Sequence, residues 1–317
     1  MQFQDNLALR YNRFGNPREV LSLEHAAKAP AASGGLRVRM TYAPINPSDL
    51  IPVTGAYRHL IVPPMTAGYE GVGVVVSAPA DMVSMVGQRV LPLRAEGTWQ
   101  RYVDCDPHIA VPVPQDVPDA IAARAYINPV SALHLLRLWP VTGKTIIITG
   151  AGSGIASLLA QWAQAHGAAN IYGIYRSPQR RDWVAGLGMR PVAEDDAAMV
   201  ATAAKEADIT FDAVGGPLGA AVLNTMRAGA EFVGYGLLSG QQVLPSKQTA
   251  AHHRRFHLRD VLGGLDTAGW QQCFRTIWPR LATVRLPDTQ VFPLDHWAEA
   301  LDAFDRPGRA EKPILQL

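Results

Sequence analysis

The pattern of hydrophobic and polar residues changes character near residue 120. Before that point, short apolar or alternating runs are separated by clusters of Gly, Pro and Asp, which is typical of strands joined by turns. The predicted strands are Leu36–Tyr42, Gly71–Ser77, Arg89–Leu93 and Trp99–Val103. Together they indicate a compact, barrel-like β-rich domain.

After Pro118, helical and strand-like runs alternate along the chain. Asp119 is the expected N-cap of a helical stretch at Ile121–Tyr126, and a second helix follows at Ser131–Trp139. The predicted strands are Thr145–Thr149, Asn170–Tyr175, Ile209–Ala213 and Glu231–Tyr235, with helical stretches between them. This alternation predicts an α/β fold with a doubly wound parallel sheet.

The last part of the chain returns to a mixed pattern. It reads as an amphipathic helix, a short strand, a second helix and a final strand, at Trp270–Leu281, Thr289–Phe292, Asp295–Phe304 and Pro313–Leu317. We therefore predict two domains. Residues 1–120 and 266–317 form the β-rich domain, and residues 121–265 form the α/β domain.

Composition and charge narrow the class of protein. The 317 residues include 29 basic and 27 acidic side chains, so the net charge is only +2. Such a balance gives no case for a nucleic-acid or membrane-surface partner. No run approaches the roughly 20 apolar residues of a membrane-spanning helix, and the N-terminal stretch lacks the apolar core of a signal peptide. We expect a cytoplasmic protein.

The stretch from Thr145 to Gly154 carries the clearest chemical signal. A buried strand leads into a turn containing Gly150, Gly152 and Gly154, and the helical run Ile155–His166 follows directly. Unpaired N–H groups at the start of such a helix bind phosphate, helped by the helix dipole. The strict G-x-G-x-x-G spacing is not met. The predicted phosphate contacts are Gly152, Ser153, Gly154 and Ile155.

The end of the next predicted strand indicates which dinucleotide is bound. A cofactor with a free ribose 2′-hydroxyl usually meets an Asp or Glu at this position. Here the strand ends in Tyr175, Arg176 and Ser177, with Arg180 following, and no carboxylate occurs before Asp182. Because a guanidinium suits a 2′-phosphate, we predict NADPH. The alternative interpretation is a solvated basic helix start.

Several short motifs occur in a fixed order along nearly the whole chain. They are Asn46-Pro47-Ser48-Asp49, Gly55-x-Tyr57, Glu70-Gly71-Val72-Gly73, Asn128-Pro129-x-Ser131-Ala132, Tyr235-Gly236, and Arg306-Pro307-Gly308-Arg309 with Lys312. As a set they resemble the zinc-independent branch of the medium-chain dehydrogenase/reductase superfamily, above all mitochondrial-type 2-enoyl thioester reductases and quinone oxidoreductases. The resemblance implies a Rossmann cofactor domain and a GroES-like catalytic domain.

The same segment argues against a catalytic zinc. Alcohol dehydrogenases of the superfamily hold zinc with a Cys and a His from this region, where this chain has Asn46–Asp49 and Tyr69. Two cysteines, Cys105 and Cys273, are also too few for a four-cysteine structural site. The expected reaction therefore uses no metal.

The resemblance also implies roles for individual residues. Tyr57 matches the active-site tyrosine of the enoyl reductases and is the candidate proton donor; the alternative is an aromatic cap on a loop. Asn46 is a candidate catalytic residue, with ordinary turn chemistry before proline as the alternative. The further predicted cofactor contacts are Asn128, Tyr235, Gly236 and Lys312, with a surface lysine as the alternative for the last. Glu70 is expected to order backbone.

Three functions remain open from the sequence. The leading one is NADPH-dependent reduction of a C=C bond conjugated to a carbonyl, in an enoyl thioester or a similar small molecule. The second is an NADPH:quinone oxidoreductase, and the third is a cofactor-binding sensor or structural protein without turnover. The resemblance implies a homodimer joined through sheet edges. The basic cluster at 252–259 is expected to be a subunit edge or a contact for a substrate phosphate.

Overall fold

The computed structural model describes residues 4–28 and 34–317, and these residues pack into two units. The first unit comprises the described part of Met1–Ile127 together with Asp266–Ala282 and Asp288–Leu317. The second comprises Asn128–Leu265 and Thr283–Pro287. The predicted domain ranges, 1–120 with 266–317 and 121–265, stay a prediction, and residues 1–3 and 29–33 lie outside the described residues.

Short strands occur in both units. They are β1 Gln4–Tyr11, β2 Leu21–Lys28, β3 Leu36–Pro44, β4 Met65–Thr66, β5 Val72–Ser77, β6 Arg89–Leu91, β7 Tyr102–Cys105, β8 Val111–Pro112, β9 Thr145–Thr149, β10 Asn170–Tyr175, β11 Arg190–Ala193, β12 Ile209–Asp212, β13 Glu231–Gly234, β14 His252–Arg255, β15 Thr289–Pro293 and β16 Lys312–Gln316.

Helices also occur in both units. They are α1 Pro17–Val20, α2 Pro47–Leu50, α3 Asp119–Ala122, α4 Ile127–Leu138, α5 Gly154–Ala165, α6 Arg181–Gly186, α7 Ala197–Glu206, α8 Gly216–Thr225, α9 Leu258–Leu262, α10 Thr267–Leu281 and α11 Trp297–Asp305. Short 3-10 turns occur at Ala80–Met85, Pro178–Arg180 and Leu294–His296. Within the described ranges, no helix is both long and apolar enough to cross a membrane.

The first unit is β-rich, as predicted. In its described residues, one sheet has the order β15-β16-β3-β5-β6-β8, with β7 also paired to β3, and a smaller sheet has the order β2-β1-β4. Trp99 is fully buried in a core with Leu9, Tyr11 and Phe304, and its indole N–H donates to Pro44 O (3.2 Å). This packing anchors the segments that carry Asn46 and Glu70.

Two local predictions in this unit were wrong. The strand expected at Trp99–Val103 is β7, Tyr102–Cys105, because the backbone of Trp99 is hydrogen-bonded to Leu9 and Ala67 instead. The helix expected at Ile121–Tyr126 is the single turn α3. Asp119 is its first residue and Pro118 its N-cap. The Asp119 carboxylate accepts a hydrogen bond from Arg89 (2.6 Å).

The second unit contains the predicted doubly wound parallel sheet. Among its described residues the strand order is β11-β10-β9-β12-β13-β14, and every adjacent pair is parallel. The three isoleucines of β9, from Ile146 to Ile148, are fully buried, as expected for a central strand covered on both faces. The carboxyl ends of β9, β10 and β12 therefore meet at one edge of the sheet.

Candidate functional site

The turn after β9 leads through glycines into the N-terminus of α5. Gly150 has φ +61°, a conformation that favours glycine. Ser153 is the N-cap of α5, and its hydroxyl accepts from Ala156 N (3.4 Å). A Cβ placed on Gly154 would meet Asn128 Nδ2 at 3.8 Å. The structure thus brings Asn128 beside the glycine turn, while Ile155 occupies the first turn of α5.

Arg180 packs directly on this turn. Its guanidinium donates to Gly152 O (3.1 Å), and a Cβ on Gly152 would approach Arg180 Cγ and Nε to 3.2 Å. The Arg180 side chain is only 6% exposed and lies over the Trp183 ring, 4.9 Å from its centroid. Arg180 therefore stabilises the turn in this structure, and its predicted contact with a cofactor phosphate stays a prediction.

The end of β10 presents a second charged group that the sequence reasoning missed. Tyr175 is buried, Ser177 is half-buried, and Arg176 is exposed. Glu194 follows the neighbouring strand β11, and its backbone N–H donates to Tyr175 O (2.9 Å). Burial raises the pKa of Glu194, and the positive charge of Arg176 acts in the opposite direction. The parallel pairing of β10 with β11 brings this carboxyl near Arg176.

A buried carboxyl at the end of β12 holds the adjacent loop. Asp212 is fully buried and accepts from Thr149 Oγ1 (2.6 Å), Gly215 N (2.9 Å) and Val214 N (3.2 Å). Thr149 Oγ1 in turn accepts from Ala213 N (2.9 Å). Burial raises the pKa of Asp212, while these donors lower it. The network ties the loop after β12 to the last residue of β9.

Tyr235 and Gly236 lie against the same strand end. Both backbone N–H groups donate to Asp212 O, at 2.8 and 3.3 Å. A Cβ on Gly236 would come within 2.8 Å of Ala213 O, so this position requires glycine. The Tyr235 hydroxyl is buried with no hydrogen-bond partner among the described residues, and burial raises its pKa. The second unit thus collects the predicted cofactor residues other than Lys312 at one edge of its sheet.

Tyr57 lies in the first unit, in the turn segment that follows α2. The residue is half-buried, and its ring packs edge-on against His59 with 6.5 Å between ring centroids. Its carbonyl accepts from Leu60 N (2.8 Å) and Ile61 N (3.1 Å). Gly55, with φ +85°, makes the preceding bend.

The first unit also holds Asn46 in a buried polar network. Asn46 is 2% exposed; its Oδ1 accepts from Lys312 Nζ (2.6 Å) and its Nδ2 donates to Glu70 Oε1 (2.7 Å). Glu70 Oε2 accepts from the backbone N–H groups of Tyr126 (3.2 Å) and Ile127 (2.7 Å). Glu70 therefore orders backbone, as predicted, and the structure brings Asn46 and Lys312 together.

Titratable side chains in this network have strongly shifted pKa values. Burial, followed by the negative charge of Glu70, raises the pKa of Asp49 to about 7, and burial raises that of Glu70. Burial lowers the pKa of Lys312 to about 8 against the attraction of Glu70, and that of Arg124 to about 10. Within the described ranges, no group of three or more His, Cys, Asp or Glu side chains is placed to hold a metal ion.

Two family models match the chain. Residues 32–115 match the alcohol dehydrogenase GroES-like domain, and residues 154–282 match the family described as zinc-binding dehydrogenase. These assignments agree with the β-rich first unit and the parallel sheet of the second.

Individual proteins extend the similarity to nearly the full length. The chain is 30% identical to a mitochondrial enoyl-[acyl-carrier-protein] reductase of Rattus norvegicus over 254 residues, which are 75% of this chain and 68% of that protein. It is 38% identical to the Xenopus tropicalis enzyme of the same name over 51% of this chain, spanning about half (48%) of that relative. A provisionally named NADPH:quinone reductase from Bacillus thuringiensis has a solved structure with 31% identity and a TM-score of 0.92, covering 99% of both chains.

Proposed function

Because the chain belongs to the medium-chain dehydrogenase/reductase superfamily of oxidoreductases, we propose that it reduces a C=C bond conjugated to a carbonyl, using NADPH. The proposed substrate class is a 2-enoyl thioester or another small α,β-unsaturated carbonyl compound. The observation that carries this proposal is the 30% sequence identity with an enoyl-[acyl-carrier-protein] reductase over 75% of the chain.

The second unit has features that fit a phosphate-bearing dinucleotide. Glycines lie at the start of α5, and a Cβ built on Gly154 would meet Asn128 Nδ2 at 3.8 Å, an ordinary contact distance. The N–H groups there suit a pyrophosphate. The exposed guanidinium of Arg176 at the end of β10 suits a 2′-phosphate. These residues support the choice of NADPH.

The proposed chemistry needs a hydride and a proton. A reduced nicotinamide, when bound, supplies a hydride for the β-carbon of the substrate. Negative charge then develops on the substrate carbonyl oxygen, where hydrogen-bond donors lower the barrier. Tyr57 is proposed to deliver the proton to the α-carbon, and Asn46 remains the second candidate catalytic residue.

Replacing Tyr57 with Phe tests the proton-donor role. General acids contribute about 10²–10⁴-fold to rate, so we expect turnover of a short 2-enoyl thioester to fall by about that factor while NADPH binding stays intact. Tyr42→Phe is the matched control, because Tyr42 is also a half-buried tyrosine of the first unit. Unchanged turnover in Tyr57→Phe would remove Tyr57 from the mechanism.

Quinone reduction is the second candidate function, favoured by the 31% identity with the Bacillus thuringiensis protein. It needs a hydride path and an open planar pocket, but no dedicated proton donor. We therefore expect Tyr57→Phe to reduce enoyl thioester turnover far more than quinone turnover. The second function would be established instead if the wild-type protein and Tyr57→Phe reduced a quinone at equal rates and the wild-type protein did not turn over an enoyl thioester.

Replacing Arg176 with Ala tests the cofactor. A hydrogen bond to a charged group is worth about 1.5–3 kcal/mol, so the loss should weaken NADPH binding by roughly 10- to 150-fold and leave NADH binding unchanged. Arg181→Ala is the matched control, because Arg181 is a nearby exposed arginine. An unchanged preference between the two cofactors in Arg176→Ala would refute the 2′-phosphate assignment.

We also propose a homodimer and a cytoplasmic location. Strand β14, His252–Arg255, is one of the edge strands of the parallel sheet among the described residues. It is exposed along its length, which supports pairing with a second copy. Light scattering should give the mass of two chains. A monomer at micromolar concentration would refute the dimer.

A further inference from the structure

Lys312 lies in the first unit, where its backbone and its ammonium group make short hydrogen bonds. It is the first residue of β16, and its backbone N–H donates to Asp288 O (2.7 Å). Its ammonium donates to Ile45 O (2.6 Å) and to Asn46 Oδ1 (2.6 Å). Two of the three ammonium protons are therefore directed at the turn that precedes α2.

The hydrogen bonds continue from this turn to the start of α4. Asn46 Nδ2 donates to Glu70 Oε1 (2.7 Å), and Glu70 Oε2 accepts from Ile127 N (2.7 Å) and Tyr126 N (3.2 Å). Ile127 is the first residue of α4, and Asn128 is the next. Three links thus connect the Lys312 ammonium to the backbone from which Asn128 extends.

The positive charge of Lys312 stabilises buried carboxylates in the same network. Asp49 and Glu70 are both 2% exposed, and their charges attract the Lys312 ammonium, while Arg309 and Arg124 repel it. Asp49 itself accepts from Asn46 N (2.7 Å) and Tyr69 N (2.8 Å). Removing the cation would take away a positive charge that lowers the pKa of both buried carboxyls, which is strongly unfavourable.

We propose that Lys312 is a positioning residue that acts through Asn46 and Glu70 on the backbone at Tyr126 and Ile127, and so sets the position of Asn128. This differs from the direct cofactor contact that the resemblance implies for Lys312. It rests on the proposed function only for the role of Asn128 in binding NADPH. The connection of Lys312 to Glu70 can be tested without any cofactor.

The first experiment measures unfolding of Lys312→Met, Glu70→Gln and the double variant by chemical denaturation. We expect Lys312→Met to destabilise the protein. If the two substitutions acted independently, their effects on the unfolding equilibrium constant would multiply; we expect the constant of the double variant to be at least about tenfold smaller, that is, more favourable to the folded state, than that product. Lys247→Met is the control, because Lys247 is exposed. Additive effects of the two substitutions would overturn the proposal.

The second experiment measures the NADPH dissociation constant of Lys312→Met, Asn128→Ala and the double variant by nicotinamide fluorescence. If Lys312 acts by positioning Asn128, the double variant should bind no more weakly than Lys312→Met alone. If Lys312 contacts the cofactor directly, the two losses should multiply, and the proposal would be wrong. Absence of NADPH binding by the wild-type protein would refute the proposed function, and the unfolding experiment would still decide the network.

Discussion

The hydroxyl of Thr149 makes two buried contacts whose loss can be quantified. Its Oγ1 donates to Asp212 Oδ1 (2.6 Å) and accepts from Ala213 N (2.9 Å), and both Thr149 and Asp212 are fully buried. Thr149→Val keeps nearly the same volume and removes both hydrogen bonds. The substitution therefore tests whether this network stabilises the sheet edge that carries the glycine turn.

The expected destabilisation follows from the two contacts. A hydrogen bond to a charged group contributes about 1.5–3 kcal/mol, and an unsatisfied buried N–H costs about 1–3 kcal/mol. The second methyl of valine returns part of the loss, so we expect a net destabilisation of about 3 kcal/mol. At roughly 2–4 °C per kcal/mol, the Tm should fall by about 6–12 °C.

Thermal unfolding followed by circular dichroism measures the effect. Thr149→Ser is the matched control, because serine keeps the hydroxyl and loses only a methyl group. Loss of the Thr149 donor should also raise the pKa of Asp212 further, so the difference between Thr149→Val and wild type should shrink as acid protonates that carboxyl. A fall in Tm of less than about 2 °C, which is roughly 0.5–1 kcal/mol, or an equal fall in Thr149→Ser, would show that the two hydrogen bonds do not stabilise the fold.

Two further substitutions address the turn and the first unit. Gly152→Ala should destabilise the protein by about 1–3 kcal/mol and weaken NADPH binding, because the new Cβ would lie 3.2 Å from Arg180 Cγ. Gly154→Ala is the control in thermal unfolding, because a Cβ there would meet Asn128 Nδ2 at 3.8 Å. Equal destabilisation by the two substitutions would contradict the prediction. The pKa of Asp49 is raised from 3.8 to about 7, so the folded state binds this proton more tightly and the unfolding free energy should fall as pH rises between those values. Denaturation across this range should show that slope in wild type and a smaller slope in Asp49→Asn, because the raised pKa values of Glu70 and Asp212 act in the same direction. An unchanged slope in the variant would contradict the assignment to Asp49.

The parts of the fold that were predictable are those specified by local sequence. The strand Thr145–Thr149 was predicted with the bounds that β9 has, because a run of isoleucines next to glycine is typical of a buried parallel strand followed by a tight turn. The helix predicted at Ile155–His166 is α5, Gly154–Ala165. The end of the helix was predictable because Gly167, which has φ +78°, follows the last residue of the predicted run.

Elements specified by distant partners were not predictable in this way. Strand β14 is formed by two histidines and two arginines, all exposed, and it is a strand because it pairs with β13 at the sheet edge. Its polar sequence has no hydrophobic alternation to indicate a strand. The Lys312–Asn46 hydrogen bond joins residues 266 positions apart, and no sequence spacing indicates such a contact.

The two arginines after β10 show how position decides function where residue type does not. Arg180 is buried and bonded to Gly152 O, so its guanidinium is committed to the turn, whereas Arg176 is exposed. An ionised Glu194 would repel a 2′-phosphate bound by Arg176. Burial raises the pKa of Glu194, and the positive charge of Arg176 lowers it, so the two side chains are electrostatically linked. The NADPH preference that we propose therefore depends on Arg176, with Glu194 as the group that moderates it.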